Sequence, residues 1–360
     1  MMVIGVDPHK GSHTAAVVDE LGRKTAQKTV PATRDGHREL IAWGRAQAPG
    51  GRRWAVEDVR HVASGLAREL LAAGEEVVFV PTRMMAAARS GGAERGKSDP
   101  IDALANARAA LREGDRLPAA KLPAAVLEVR RLADHRDALV AGRTRAVNRL
   151  RWLVHDLDPA LAPPPRALTR TAGAARQLGT GLLALPASAG RRVALSLLAA
   201  VTAASQEIAQ LEADLAALVS ELCPRLLEIC GVGPVTAARL LGEAGDARRF
   251  RSPAAYARHN GTAPIPASSA AGAASGPQRL NRGGNRKANA AIHRTALTQT
   301  RHHPGAQALL ERRATIRETR KAALRVLKRH LSDVIYRALL ADAWRLDQPL
   351  QTAELVNSGV

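Results

Sequence analysis

The sequence predicts a mixed α/β domain followed by an all-α remainder. Three observations predict it. Apolar runs of strand length are confined to residues 3–80, an Ala-, Leu- and Arg-rich composition with helical apolar spacing takes over beyond about residue 118, and four carboxylates, Asp7, Glu57, Asp99 and Asp102, mark the ends or starts of early elements.

Residues 3–6 form the first apolar run, 14–18 the second and 24–30 the third, after a turn at Leu21-Gly22-Arg23. Three runs so close together predict an antiparallel meander. A helix is expected at 38–46, a strand at 54–56, a helix at 63–73 and a buried strand at 77–80, ended by Pro81. Strand, strand, strand, helix, strand, helix, strand is the order of an RNase H-like sheet. Asp7 ends the first strand and Glu57 the fourth, so both can point from strand ends into one crevice. In Lys97-Ser98-Asp99-Pro100-Ile101-Asp102-Ala103, two carboxylates open a helix with Pro100 in its first turn, and a three-residue separation puts both on one face.

Convergence has a chemical purpose. Hard oxygen ligands suit Mg²⁺, with Mn²⁺ as a substitute, and two ions about 4 Å apart can clamp the attacking and leaving oxygens of a phosphoryl transfer. Taken singly, each carboxylate is as readily a solvated acid, and Asp99 and Asp102 also suit the positive end of a helix. The set of four is what points to a metal pocket. Glu20, Asp35, Asp58 and Glu94 read as turn or surface acids. His9 and Lys10 sit beside Asp7 within reach of a phosphate, although a local hydrogen bond is the simpler reading of both.

The second region is helical. Val140, Val147, Leu150, Val154 and Leu157 keep one heptad-like stripe, and Val201, Ile208, Leu211, Leu215 and Leu218 another. Antiparallel helices or an intersubunit coiled coil satisfy both. Between them, Pro159, Pro163, Pro164 and Pro165 and the small residues around 171–180 read as a linker or loop. Arg130, Arg131, Arg136, Arg143, Arg145, Arg149 and Arg151 give the first of these helices a basic surface. The expected domains are 1–115 (RNase H-like), 116–222 (helical coiled coil or linker) and 223–345 (a small helical domain), with 346–360 as a tail.

In the third region Cys230-Gly231-Val232-Gly233-Pro234-Val235-Thr236 resembles a helix-hairpin-helix. Gly231, Gly233 and Thr236 would let backbone N–H groups approach a phosphate without reading bases, although a plain turn between helices fits as well. Residues 277–330 hold 14 Lys plus Arg against two acids, Glu311 and Glu318, and Arg279, Arg282, Arg286 and Lys287 open this patch.

Charge says what the partner is. The 360 residues carry 53 Lys plus Arg against 33 Asp plus Glu, a formal net charge of +20, and such an excess binds polyanions by releasing their counterions. With 46% hydrophobic residues the chain builds true cores and is no disordered basic tail, while 2% aromatic residues exclude broad base-stacking platforms. Two cysteines, Cys223 and Cys230, form no CxxC pair, which excludes a disulfide framework and suits a reducing bacterial cytoplasm. No signal peptide, membrane span or membrane partner is expected.

These motifs together resemble the DEDD transposases of the insertion-sequence family numbered one hundred and ten, relatives of the Piv and MooV invertases. Gly5-Val6-Asp7 with Lys10, Val56-Glu57 and Lys97-Ser98-Asp99-Pro100-Ile101-Asp102-Ala103 match the first family domain. Gly231-Val232-Gly233-Pro234, Gly261-Thr262-Ala263-Pro264, Ser268-Ser269 and Arg282-Gly283-Gly284-Asn285 match the second in order. The resemblance implies a RuvC-like RNase H domain joined through a coiled coil to a helical domain that supplies a serine nucleophile. It also implies Mg²⁺ in the DEDD pocket, double-stranded donor and target DNA, an element-encoded bridge RNA that selects both, and a homo-oligomer, dimer or tetramer, at the nucleoid. The family motif reads Ser-Ser-Gly or Ser-Gly, whereas this chain has Ser268-Ser269-Ala270 and a later Ser275-Gly276. Position after Gly261-Thr262-Ala263-Pro264 favours Ser269, then Ser268. Two other classes fit the same residues: a metal-dependent nuclease resembling a Holliday-junction resolvase, and an inactive DNA-binding relative.

Overall fold

The computed structural model describes residues 1–57, 60–81, 98–117, 119–164, 166–266, 278–279, 281 and 283–350. The chain forms two compact units, each discontinuous in sequence. One comprises Met1–Leu122, Gly245–Asn289 and Arg329–Leu340; the other comprises Pro123–Ala244, Ala290–Lys328 and the chain from Ala341.

The first unit is built on a five-stranded sheet. Its strands are β1 (Met2–Pro8), β2 (Ser12–Val18), β3 (Lys24–Pro31), β4 (Arg52–Glu57) and β5 (Val77–Val80), in the order β3-β2-β1-β4-β5. The first three form the expected antiparallel meander, and β4 and β5 run parallel to β1. Period-two alternation divides the side chains between two layers. Ile4, Val6, Ala15, Val17, Trp54 and Val56 pack against Leu40 and Ile41 of α1 (Arg34–Gln47) and Leu66 and Leu70 of α2 (Arg60–Ala72). Val3, Ala16, Val18, Ala55, Val78 and Val80 pack against Ala103, Leu104 and Ala107 of α3 (Asp99–Glu113). β3 is one edge, and its exposed Lys24 discourages pairing with another chain, while half-buried Lys28 pairs with Glu39 at 2.8 Å.

Gly5 sets the distance between β1 and α3. A Cβ there would overlap the Ala103 carbonyl oxygen and the Ala107 nitrogen and lie 2.8 Å from the Ala107 Cβ, so only glycine lets the helix rest directly on the strand.

Glu75 anchors the far end of this sheet. Its carboxylate, 3% exposed, accepts hydrogen bonds from Arg52 Nε (2.7 Å), Arg45 Nε (2.9 Å) and Trp54 Nε1 (2.9 Å). Burial pushes its pKa up, but these donors overcome burial and hold it at about 2. A depressed carboxylate pKa contributes stability that is complete above its unfolded value of 4.5 and is lost as pH falls from there toward 2. Glu75→Gln should therefore cost about 3 kcal/mol at neutral pH and flatten the loss of stability between pH 4.5 and 2, as denaturant melts across that range would record.

The remainder of the first unit contains α10 (Pro253–His259) and a two-stranded ladder, β6 (Ile265–Pro266) with β7 (Gln278–Arg279). Both tyrosines of the chain are used in its core. Tyr256 and Tyr336 stack with ring centroids 5.6 Å apart, and the Tyr336 hydroxyl donates to the Phe250 carbonyl at 2.6 Å.

In the second unit two 34-residue helices, α4 (Ala124–Leu157) and α7 (Ala189–Leu222), lie antiparallel within one chain. Their cross-links run in opposite directions along the two helices: His135 to Glu207 at 2.9 Å, Arg136 to Glu212 at 2.9 Å and Arg143 to Ser205 at 3.2 Å. Val201, Ile208, Leu211, Leu215 and Leu218 are the buried stripe of α7, as their spacing predicts. By length and composition α7 could also cross a membrane; here its apolar stripe is buried.

The expected loop at 171–180 is corrected to a helix. α5 (Ala167–Arg170) is followed by α6 (Ala172–Ala184), whose N-cap Thr171 accepts from the Ala174 N–H at 3.4 Å. Leu178 and Leu182, four residues apart, enter the same core as Leu150, Val154 and Leu198. Alanine and leucine are strong helix formers, and two anchored leucines suffice to dock one face.

Several arginines expected on the surface of α4 face inward. Arg130 donates to the Gly242 carbonyl at 2.6 Å, and Arg136 and Arg143 bond α7. Arg145, Arg149 and Arg151 remain exposed. The helices α8 (Pro224–Leu227) and α9 (Pro234–Ala244) follow. Buried Arg239 of α9 reaches Asp134 (2.6 Å), Asp137 (2.5 Å) and the Ala133 carbonyl (2.9 Å), so α9 is pinned to α4 by charge as well as by packing.

Candidate active site

Asp7 is the centre of the site. Odd-numbered positions of β1 and β4 face α3, so Asp7 and Glu57 project toward the face on which that helix begins. α3 starts after Ser98, carries Pro100 in its first turn and places Asp99 and Asp102 there, with the Asp102 N–H donating to the Ser98 carbonyl at 3.0 Å. Asp7 is 3% exposed and Asp102 7%, whereas the Asp99 side chain is 47% exposed. Burial pushes the Asp7 pKa up to about 6; His9 partly opposes this, and the charges of Asp102, Glu57 and Asp99 reinforce it. All four predicted carboxylates therefore lie in one electrostatic neighbourhood.

Two observations bear on a divalent ion. The buried Oδ2 of Asp7 accepts no hydrogen bond from the described residues. Asp7, His9 and Asp99 also offer one ligand atom each, all within 4.8 Å of one another. A buried oxygen with no donor, ringed by carboxylates that raise its proton affinity, fits a site completed by a hard cation.

Asn106 is a residue that the sequence reading missed. It is fully buried, four residues after Asp102, and its Nδ2 donates to the carbonyl of Val6 at 2.9 Å. This bond ties α3 to the peptide that precedes Asp7. The signal was a lone polar residue in the alanine-rich run Ala103-Leu104-Ala105-Asn106-Ala107. Asn106→Ala should leave a folded chain and cost about 1–3 kcal/mol, checked by denaturant melts.

The second set of motifs meets around Asn260. Its Nδ2 donates to Ser332 Oγ at 2.8 Å, its Oδ1 accepts from the N–H (3.0 Å) and hydroxyl (2.7 Å) of Thr262, and its carbonyl accepts from Asn289 Nδ2 at 2.8 Å. Gly261 has φ +74° and lies against Gly284, whose own Cβ would overlap the Gly261 backbone. Asn285 caps α11 (Arg286–His302) by accepting from the Ala288 N–H at 3.0 Å. Gly261-Thr262 and Gly283-Gly284-Asn285 thus support the base of the β6–β7 ladder. Residues 267–277 run between these strands; Ser268, Ser269 and Ser275 lie outside the described residues, as do Arg282, Asp58, Glu94 and Lys97. For Arg279 the description covers its place in β7, paired with Ile265, and not its side chain. Arg286 and Lys287 are exposed in the first turn of α11.

The Gly231-Val232-Gly233 turn joins α8 to α9. Gly231 has φ +86°, and a Cβ would come within 3.1 Å of the Thr295 carbonyl, so internal packing already requires this glycine. A Cβ at Gly233 would meet open space, and Thr236 is half-buried.

Two family models match the chain: a DEDD transposase model over residues 4–159, and one described as "Transposase IS116/IS110/IS902 family" over residues 223–311. The chain is 29% identical to the "Insertion element IS116 uncharacterized 44.8 kDa protein" of Streptomyces clavuligerus, over 78% of this chain and 80% of that one. It is 27% identical to the "Insertion element IS900 uncharacterized 42 kDa protein" of Mycobacterium paratuberculosis, over 94% and 95%. With both halves matched in order, the chain belongs to the IS116/IS110/IS902 family of transposases, proteins of DNA transposition.

Proposed function

We propose that this transposase cuts and rejoins DNA strands with a serine nucleophile, Ser269 or its neighbour Ser268, working beside the pocket of Asp7, Glu57, Asp99 and Asp102. The observation that carries the reading is the buried Asp7 oxygen with no donor among the described residues, pressed by three further carboxylates inside a chain of net charge +20. A basic protein that gathers negative charge at one point has a use for cations there. A bound divalent ion, Mg²⁺ or Mn²⁺ and by preference a pair, supplies positive charge for the phosphoryl transition state.

The chain's own residues divide the remaining work. The serine oxygen bonds to phosphorus as the bond to the departing strand breaks; the hydroxyl proton passes to a neighbouring base, and the departing oxygen is protonated. A second strand's hydroxyl then reverses the exchange. A serine hydroxyl is a weak nucleophile, so it must act next to a base or a cation. Support for that proximity is that β6 and β7, which flank residues 267–277, belong to the same compact unit as β1, β4 and α3. Arg279, Arg282, Arg286 and Lys287 contact phosphates near the serine, and the backbone at Gly231, Gly233 and Thr236 approaches a phosphate elsewhere. Donor and target DNA are selected by pairing with an element-encoded guide RNA, and a homo-oligomer, dimer or tetramer, brings two serines to two strands at the nucleoid.

Incubating the protein with Mg²⁺, the RNA transcribed from its element and the flanking DNA should yield a covalent protein–DNA adduct that Ser269→Ala abolishes. Glu57→Ala should abolish the adduct and leave nucleic-acid affinity within a few-fold. Cleaved ends without an adduct would favour a water-dependent nuclease that uses the carboxylates alone. Binding with neither product would favour a noncatalytic relative.

A further inference from the structure

We propose that His9 is a metal ligand, giving the ion shared by Asp7 and Asp99 one nitrogen donor in an otherwise oxygen-lined pocket. The inference rests on the reading that the pocket holds a divalent ion, and it names a residue outside the four carboxylates.

His9 lies just past the end of β1, two residues from Asp7, and strand alternation sends both toward the face on which α3 begins. Its backbone is fixed, because its N–H donates to the Ser12 carbonyl at 2.8 Å in the turn between β1 and β2. The ring stands between two carboxylates: Nδ1 is 3.5 Å from Asp7 Oδ2, and Nε2 is 3.9 Å from Asp99 Oδ1. An ion takes one ring nitrogen, and with one ligand atom from each of Asp7, His9 and Asp99 the three atoms lie within 4.8 Å of one another, close to the spacing of about 3–4 Å that ligands at about 2.1 Å from one ion adopt. The oxygen that faces His9 is the same Asp7 Oδ2 that is buried and accepts no hydrogen bond from the described residues. At 3.5 Å the imidazole is too distant to serve that oxygen as a donor, yet close enough to share an ion with it. The ring is 51% exposed, so solvent and ions reach it.

The chemical consequence is selectivity. Imidazole suits Zn²⁺, Fe²⁺ and Ni²⁺, and Mn²⁺, at the weak end of the transition-metal series, accepts a nitrogen more readily than Mg²⁺, which prefers oxygen throughout. His9 therefore shifts this pocket toward transition metals relative to an all-carboxylate set.

The test is electron spin-echo envelope modulation on Mn²⁺ bound to the full chain, with and without duplex DNA. The expected result is a coupling from a directly bonded ¹⁴N in the wild type that disappears in His9→Gln and His9→Ala. Mn²⁺ should still bind both variants about tenfold more weakly, with Mg²⁺ affinity changed less. Mn²⁺ that binds, is lost in Asp7→Asn and shows no ¹⁴N coupling would overturn the role of His9 and leave the carboxylate site standing. No Mn²⁺ bound to the wild type, with or without DNA, would overturn the metal reading and this inference together. The wild-type spectrum decides the matter even if a variant folds poorly.

Discussion

Replacing Asp7 by asparagine should abolish strand cleavage and, at the same time, make the metal-free protein more stable by about 1–3 kcal/mol. The two effects have one cause. Asp7 is almost wholly buried, its Oδ2 accepts no hydrogen bond from the described residues, and burial together with the charges of Asp102, Glu57 and Asp99 opposes a negative charge on it. His9 offsets only part of that cost. Asparagine keeps the shape and removes the charge. Without an ion the fold gains; with an ion the wild type gains instead, by mass action. Denaturant melts in chelator and in millimolar Mn²⁺ check both halves. The wild type should rise with metal while Asp7→Asn stays flat. An Asp7→Asn protein weaker than wild type in chelator would mean that the carboxylate serves the fold rather than a cation.

Gly284→Ala should cost at least about 3 kcal/mol and remove any covalent adduct. The added Cβ would overlap the nitrogen and Cα of Gly261 and lie 2.7 Å from the Asn260 carbonyl carbon. All three are backbone atoms, and none can rotate aside. Gly261 has no slack of its own, since its φ of +74° is one that side chains resist and a Cβ there would lie 3.2 Å from the Gly284 Cα. Relief would pull Asn260 from Ser332, Thr262 and Asn289, leaving buried amide groups without partners. Gly11→Ala is the control, because a Cβ there meets nothing within 4 Å. It should stay within about 0.5 kcal/mol of the wild type. Equal melting of both variants would remove the Gly261–Gly284 contact from the account.

Much of the first unit was legible because its signals are local. Short continuous apolar runs, the mark of strands buried on both faces, let β1, β2, β4 and β5 declare themselves. A carboxylate at a strand end and a pair around Pro100 need only spacing to be read. What was not legible depends on partners distant in sequence. Arg130, Arg136 and Arg143 look like surface charges until α7 and α9 come to lie against α4. Asn106 looks like an ordinary helix residue until its amide meets Val6. His9 suggested a local hydrogen bond because the orphaned oxygen it faces is a property of burial, not of sequence. The stretch at 171–180 misled for another reason. Small residues mark loops by flexibility and helices by propensity, and only the two leucines docked in the core decide between them.

The bond from Asn260 to Ser332 also has a bearing on how the molecule comes into being. Ser332 lies in α12 (Arg320–Ala341), 72 residues after Asn260 in the chain. A nascent chain holds Asp7, Asp99 and Asp102 and both strands β6 and β7 before it can clasp Asn260, so the unit that contains them is finished only after that helix has emerged. Copies cut short by a premature stop ahead of that helix would lack the clasp. Such fragments would enter the cell with an unsatisfied amide at the joint, as substrates for proteolysis rather than as working enzymes.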